Sequence, residues 1–293
     1  MDAFALLIAA TLNAGTVLAI ASLGLLINER AGVLNLGAEG LMLVAAIAGF
    51  ATAVHTGSDV LAFGAGMAAG ALLAAIFGWL VIWLNTNQYA TGLALSLFGA
   101  GFSAFVGIQY TQEKIGDRLN FQIPGLADIP FFGPALFRQH PMVYATVLAT
   151  AALAWFLYRS RAGLVLRAVG ESPEAAHALG YPVRRIRLAA VVVGGALCGL
   201  SGAYISVIYT PLWVEGMIAG KGWIALAFGL GWFLYRSRAG LVLRAVGESP
   251  ESAMRWVIRC GDCGSPRWWR AARCAGWRGL TCRSSTRRCG WRA

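Results

Sequence analysis

The sequence predicts an all-α fold, a polytopic bundle of transmembrane helices. Hydrophobic residues make up 58% of the 293 residues and charged residues only 13%, whereas soluble domains carry about 25% charged residues. Several apolar stretches approach the roughly 20 residues that an α-helix needs to cross the hydrocarbon core. Glycine, alanine and serine crowd these stretches, and small residues let helices approach closely in lipid. We therefore expect a tightly packed multi-pass membrane protein.

About seven spans are predicted, the last of them short. They are Phe4–Ile27, Ala38–Val54, Val60–Leu84, Tyr89–Ile108, Met142–Tyr158, Leu188–Tyr209 and Gly222–Tyr235. Arginine bias orients them, because cytoplasmic connections carry an excess of Lys and Arg. The Arg159–Arg187 connection holds six arginines and is therefore cytoplasmic. Counting back places the turn after the first span on the same side and the Gln109–Pro141 connection outside.

The cytoplasmic segment Gly163–Arg187 contains the signals of a short separate helix. Ser172 is a good N-cap residue, and Pro173 at the first helical position has no N–H to leave unsatisfied. The helix body is Glu174–Leu179, and Gly180 follows where a left-handed residue ends a helix. A short helix held between two spans is suited to docking. The simpler interpretation is a solvated connection.

The segment Asn28–Gly40 combines three glycines with polar residues and predicts a bent or partly re-entrant backbone. Irregular backbone at membrane depth is tolerated where it is buried in protein or lines a cavity. Glu39 is therefore a candidate pathway group, or it pairs with Arg30 at the surface. Asn35 is a further pathway candidate. Asn13, inside the first span, either lines the pathway or makes a hydrogen bond between helices.

Two long blocks carry a family resemblance. The block TLNAGTVLAIASLGLLINERAGVLNLGAEGLML (residues 11–43) is followed at a distance by SRAGLVLRAVGESPEAAHALGYPVRRIR (residues 160–187). Together they resemble the permease subunits of bacterial ABC importers for simple sugars, nucleosides and branched-chain amino acids, and the first block is closest to the nucleoside and simple-sugar branch. The likeness covers about Met1 to Ala227.

The resemblance implies a permease in the bacterial plasma membrane. Such permeases assemble with a cytoplasmic ABC ATPase, a second permease subunit and an extracytoplasmic substrate-binding protein. The short helix would then be the coupling helix that contacts the ATPase. By position, the contact would be formed by Gly170, Glu171, Ala175, Ala176, Leu179 and Gly180. The permease itself binds no nucleotide, and no GxxxxGK[ST] pattern occurs here.

Beyond residue 227 the chain departs from the family, which would continue with further spans. Residues 228–251 are expected to duplicate 151–174, since Trp232–Glu251 repeats Trp155–Glu174 residue for residue. Twenty identities are too many for a diverged structural repeat, which keeps a pattern rather than every side chain. We therefore divide the chain into a C-terminally incomplete permease domain (1–227), a duplicated segment (228–251) and a foreign tail (252–293).

The tail has the composition of a frame-shifted reading of the same gene. A tryptophan codon read one base out of frame lies opposite a codon ending in TG, which encodes Leu, Val or Met. At an offset of 77 residues, Trp256, Trp268, Trp269, Trp277 and Trp291 lie opposite Leu179, Val191, Val192, Leu200 and Val214. We expect the tail to be disordered and its five cysteines and ten arginines to form neither a metal site nor a nucleic-acid surface.

The sequence thus predicts a permease subunit that forms the translocation pathway for a nucleoside or simple sugar, contacts membrane lipid and needs no cofactor. The alternatives are a branched-chain amino-acid permease and a truncated remnant that does not transport. A secondary transporter would need ionisable residues in several spans, and these spans have almost none. The three histidines are scattered, so no enzymatic activity is expected.

Overall fold

The computed structural model describes residues 2–111, 113 and 139–236. The regular elements of these residues are all helical. They are α1 (Asp2–Arg30), α2 (Ala38–Thr56), α3 (Asp59–Ile82), α4 (Gln88–Gly107), α5 (Pro141–Arg159), α6 (Arg161–Glu171), α7 (Pro173–Ala178), α8 (Val183–Tyr204) and α9 (Lys221–Arg236). A 3-10 turn extends α4, and a π-helical turn, Ile205–Tyr209, extends α8. Residues Met1–Phe233 form one compact unit.

Six helices of the described residues are long and apolar enough to cross a membrane, which confirms a polytopic bundle. They are α1, α2, α3, α4, α5 and α8, the last two ending near the predicted limits. The seventh predicted span forms α9, which has 16 residues and is therefore about 24 Å long. It falls short of the roughly 30 Å hydrocarbon core. The predicted tail, and the duplicated segment beyond Arg236, lie outside the described residues.

Helix α8 lies at the centre of the bundle, against α1, α2 and α3. Its glycines face these neighbours where no side chain would fit. A Cβ on Gly199 would collide with the carbonyl oxygen of Gly66 in α3, and one on Gly202 with the carbonyl oxygen of Met42 in α2. Close backbone approach of this kind is how helices gain packing contacts in lipid. The small residues of the sequence therefore serve the tight packing predicted for them.

Polar side chains add bonds between the same helices. The hydroxyl of Ser201 donates to the carbonyl oxygen of Val17 in α1 at 2.6 Å. The hydroxyl of Ser206 donates to the carbonyl oxygen of Ala46 in α2 at 2.8 Å. Both serines are fully buried, so these bonds satisfy groups that lipid could not.

The connection between α5 and α8 lies at the same end of the bundle as two short turns. Gly170 in α6 lies against the carbonyl group of Arg30, at the end of α1. The backbone N–H of Leu34 donates to the side chain of Gln88, at the start of α4. We call this the arginine-rich end: residues 31–37, 83–87 and 159–187. Its grouping agrees with the topology predicted from arginine bias.

Candidate functional site

Helix α7 is built as the sequence predicts, with one difference at its start. Pro173 is the first helical residue, but the Ser172 hydroxyl makes no capping hydrogen bond. The end is a Schellman motif: the Tyr181 N–H donates to the carbonyl of Ala176 and the Gly180 N–H to that of His177. Gly180 has a φ of +88°, which glycine adopts without strain. The short helix therefore ends at a fixed point.

The six residues expected to contact the ATPase divide into two groups. Glu171, Ala175 and Gly180 are exposed, and the Leu179 side chain is 77% exposed. Gly170 and Ala176 instead face the bundle. Ala176 is only 3% exposed, and a Cβ on Gly170 would collide with the carbonyl oxygen of Arg30. In this structure four of the six residues form an accessible surface, while the other two anchor it.

Sequence reasoning missed the helix that carries α7. Helix α6 begins at Arg161, and the hydroxyl of its N-cap residue, Ser160, accepts a hydrogen bond from the Gly163 N–H at 2.9 Å. Its buried residues, Gly163, Leu166 and Val169, recur every three positions, and this spacing was the signal available in the sequence. An amphipathic helix therefore links α5 to α7.

Arg187 ties three helices together at the arginine-rich end. Its Nε donates to the carbonyl oxygen of Ala31 at 3.1 Å, and its Nη2 to the carbonyl oxygen of Val169 at 3.4 Å. Arg187 belongs to α8, Val169 to α6, and Ala31 follows α1. No sequence pattern indicated these bonds, because each joins residues far apart in the chain. A displacement of α6 and α7 is thus linked to both spans.

Asn13, a pathway candidate, takes part in hydrogen bonds between elements. Its Nδ2 donates to the side chain of Gln139 at 2.9 Å, and its Oδ1 accepts from the Tyr204 hydroxyl at 2.8 Å. The commoner explanation for such a residue, an interhelical bond, is therefore realised here. Asn35 is 1% exposed, and its Oδ1 accepts from the Gly37 N–H at 2.9 Å.

Glu39 contacts a distant part of the chain rather than Arg30. Its Oε1 accepts a hydrogen bond from the backbone N–H of Gly220 at 2.8 Å. A Cβ on Gly222 would lie 2.7 Å from the Glu39 Cα, so the start of α9 meets the start of α2. Among the described residues the buried Oε2 of Glu39 has no hydrogen-bond partner. The bent backbone predicted for Asn28–Gly40 is a short non-helical connection over residues 31–37, with Gly32 at a φ of +79°.

The segment that reaches Glu39, residues 210–220, is non-helical. At one end the Trp213 ring packs on Phe50, with 5.9 Å between ring centroids. At the other end Gly220 bonds Glu39. Phe50 and Glu39 are about 16 Å apart along α2, so the segment runs down the side of a buried helix. Its path depends on contacts that no local pattern specifies.

Comparison with known proteins gives the family of this fold and site. Residues 7–230 match the family described as "Branched-chain amino acid transport system / permease component". The chain belongs to this family of transporter permeases. It is 46% identical over 225 residues to the putative glucose ABC transporter permease protein TsgC13 of Haloferax volcanii, a match that spans 75% of this chain and 68% of the relative.

Two nucleoside permeases are also similar to this permease. The guanosine ABC transporter permease protein NupQ of Bacillus subtilis is 31% identical over 234 residues, 76% of this chain and 73% of the relative. The nucleoside ABC transporter permease protein NupC of Lactococcus lactis is 32% identical over 236 residues, 76% of this chain and 74% of the relative. No solved structure matches the chain significantly. The family and the six spans identify a multi-pass plasma-membrane protein of a transporter family, not of an enzyme family.

The permease carries two further buried polar residues that sequence reasoning did not single out. Asn28 is fully buried and Glu29 is 6% exposed, both at the end of α1. Their side-chain oxygens and the Asn28 amide nitrogen have no hydrogen-bond partner among the described residues. An ionisable residue at such a position is a functional candidate by default. The described residues hold no cluster of three His, Cys, Asp or Glu side chains suited to a metal ion.

Proposed function

We propose that this permease is the membrane subunit through which an ATP-driven importer moves a nucleoside or a simple sugar. The observation that carries the proposal is the outward presentation of α7. Leu179 exposes 77% of its apolar side chain on a helix whose end is fixed by a Schellman motif. An apolar residue presented on a rigid element is suited to a protein partner.

The proposed ATPase contact consists of Glu171, Ala175, Leu179 and Gly180. Ala175 and Leu179 are four positions apart and share one face of the helical turn. Glu171 lies just before α7, where a negative charge is favourable near a helix N-terminus. Gly170 and Ala176 belong to the same functional unit, but as the residues that seat it on the bundle.

A movement of α7 caused by ATPase docking would be transmitted to the spans through α6. Gly170 packs on the end of α1, and the Arg187 guanidinium bridges the carbonyl groups of Ala31 and Val169. A shift of α7 therefore changes the end of α1 and the start of α8 together. These are two of the helices that pack most closely in the bundle centre, so movement at the cytoplasmic surface has a direct route inward.

Glu39 is the proposed pathway group. It lies where the irregular segment 210–220 ends, beside the start of α9, and irregular backbone packed within a bundle is typical of a lining for a polar path. Its carboxylate holds Gly220 with one oxygen and keeps the other for a hydroxyl of the substrate. Asn13 and Asn35 complete the proposed pathway set, each with part of its amide already held by the protein.

The proposed substrates and partners follow from the relatives. Their names give glucose, guanosine and nucleosides as substrates, all of which carry several hydroxyl groups. The partners are a cytoplasmic ABC ATPase, a second permease subunit and an extracytoplasmic binding protein, with membrane lipid around the bundle. A branched-chain amino acid remains the alternative substrate, since the family description names that class.

The test is ATP hydrolysis by the assembled importer in nanodiscs. The full chain is combined with its ATPase, second permease and binding protein, and guanosine, glucose or leucine is added in turn. We expect stimulation by guanosine or glucose and not by leucine. Stimulation by leucine alone would establish the alternative substrate, and an assembled complex that no substrate stimulates would identify a remnant.

The role of Glu39 is tested in the same assay by Glu39→Gln, which keeps an oxygen for the Gly220 N–H but removes the charge. We expect stimulated hydrolysis to fall roughly tenfold, as for one lost charge-assisted hydrogen bond. Glu215→Gln is the control, because Glu215 is exposed on the same segment. Equal losses in both variants would remove Glu39 from the pathway.

A further inference from the structure

A cleft of about 700 Å³ lies at the arginine-rich end, between α7, the start of α8 and the turn that follows α3. Its walls include Ile82 and Trp83 on one side, and Val183 and His177 on the other. The residues proposed to contact the ATPase do not line this cleft. Pro173, Glu174 and His177 face the cleft, whereas Ala175 and Leu179 point elsewhere on the helix.

The cleft is positively charged. Arg184, Arg185 and Arg187 line it, against a single carboxylate, that of Glu174. Arg187 is held by the carbonyl groups of Ala31 and Val169. Arg184 and Arg185 are exposed, and among the described residues neither side chain has a hydrogen-bond partner. Two free guanidinium groups and one fixed one therefore converge on the same space.

The depth of the cleft matches a membrane surface. Ile82 is the last residue of α3, and Val183 is the first residue of α8, two helices able to cross the membrane. The cleft thus begins where the apolar spans end. Trp83 lies at this level, and tryptophan side chains are enriched at the boundary between hydrocarbon and water. An occupant would have an apolar part beside the spans and an anionic part beside the arginines.

We propose that the cleft binds the headgroup of an anionic phospholipid of the cytoplasmic leaflet. Arginine is well suited to phosphate because its planar guanidinium donates two parallel hydrogen bonds. Basic pockets between helices on the cytoplasmic side are typical sites for such headgroups. The lipid would hold the start of α8 against the turn after α3 and leave the outward face of α7 open to its protein partner.

The test uses the purified full chain and native mass spectrometry with phosphatidylglycerol or phosphatidylcholine. We expect phosphatidylglycerol, and not phosphatidylcholine, to remain bound. Arg184→Gln with Arg185→Gln should weaken the affinity for phosphatidylglycerol roughly 30-fold, from the attraction of about 1 kcal/mol that each arginine provides near an anionic surface. Arg184→Lys with Arg185→Lys keeps both charges and should retain most of the binding, which separates loss of charge from loss of fold.

The matched control is Arg159→Gln with Arg161→Gln, two exposed arginines of the same connection outside the cleft. We expect this variant to bind phosphatidylglycerol as the wild type does. An equal loss in the control would overturn the proposal in favour of unspecific attraction. Displacement of the lipid by excess inorganic phosphate would overturn it in favour of a free-anion site. If Arg184→Gln with Arg185→Gln leaves lipid binding unchanged but no longer co-purifies with the ATPase, the cleft is a protein contact and the lipid proposal is overturned.

Discussion

Glycines in the centre of the bundle and glycines in the arginine-rich connection serve different purposes. Gly202 lies where a Cβ would collide with the backbone of α2, whereas nothing lies within 4 Å of a Cβ built on Gly180. Gly180 is required for its left-handed φ of +88°. The centre thus uses glycine for close approach of helices, and the connection uses it to fix where a short helix ends.

The same contrast holds for two neighbouring alanines of α7. Ala176 is buried, and Ala175 is exposed. One seats the helix on the bundle, and the other belongs to the surface proposed for the ATPase. Stability should therefore depend on the bundle centre and on the inward side of α7, while coupling should depend on the outward side.

The largest effect is expected for Gly202→Ala in the bundle centre. The added methyl group must displace the Met42 carbonyl, and overpacking of this kind costs about 3 kcal/mol. Thermal unfolding of the purified chain should show a clear loss of stability. Gly101→Ala is the control, because a Cβ there meets nothing within 4 Å. It should stabilise α4 by about 0.5 kcal/mol. Similar losses in both variants would contradict the packing described here.

The next effect is expected for Ala176→Trp. The indole cannot fit at a position that is 3% exposed, so we expect a loss of about 1–3 kcal/mol from overpacking. Ala175→Trp makes the same change one position along and should leave the unfolding temperature unchanged. A reversed order of the two variants would mean that α7 presents the opposite face.

A smaller effect is expected for Tyr204→Phe. The change removes the hydroxyl that donates to Asn13 at 2.8 Å, and hydrogen bonds between helices in membranes contribute about 0.6 kcal/mol on average. Tyr89→Phe serves as the control, since Tyr89 is 48% exposed. The unfolding temperatures of the two variants in detergent should show a loss for Tyr204→Phe and none for Tyr89→Phe. A larger effect at Tyr89 would count against the Asn13 network.

The smallest effect is a pH dependence that comes from His140. Burial lowers the pKa of this imidazole below its ordinary value, and Asp59 opposes the shift. Folding therefore favours the neutral ring, so the stabilisation is present above the ordinary pKa of 6.5 and is lost as the pH falls through the lower folded pKa. Protonation also breaks the bond that Nδ1 accepts from the Met142 N–H. The unfolding temperature, measured as the pH falls below 6.5, should therefore change less in His140→Gln than in the wild type.

Much of the fold followed from local patterns in the sequence. Apolar length placed six spans within a few residues of their ends, and α7 was marked by Pro173 and Gly180. Helix α6 was missed because its buried positions lie within a polar, arginine-bearing stretch. The three-residue spacing of those buried positions was visible in the sequence, but the polar composition favoured a solvated connection.

The remainder depended on contacts between distant residues. The Glu39 carboxylate was expected either to line the pathway or to pair with Arg30, and neither alternative indicated its bond to Gly220, 181 positions away. Ala176 is buried because α7 rests on the end of the bundle, and the sequence of α7 alone does not show which of its faces makes that contact. Likewise, Arg187 was counted only as a positive charge, although its two backbone partners belong to other elements.

The most direct test of the central claim is co-purification of the cytoplasmic ATPase with Ala175→Trp. Ala162→Trp is the matched control, an exposed alanine of α6 on the same connection but outside the proposed contact. We predict that Ala175→Trp loses the ATPase while its spans stay folded, and that Ala162→Trp retains it. ATPase recovery that is undiminished in Ala175→Trp would contradict the assignment of α7 as the coupling surface.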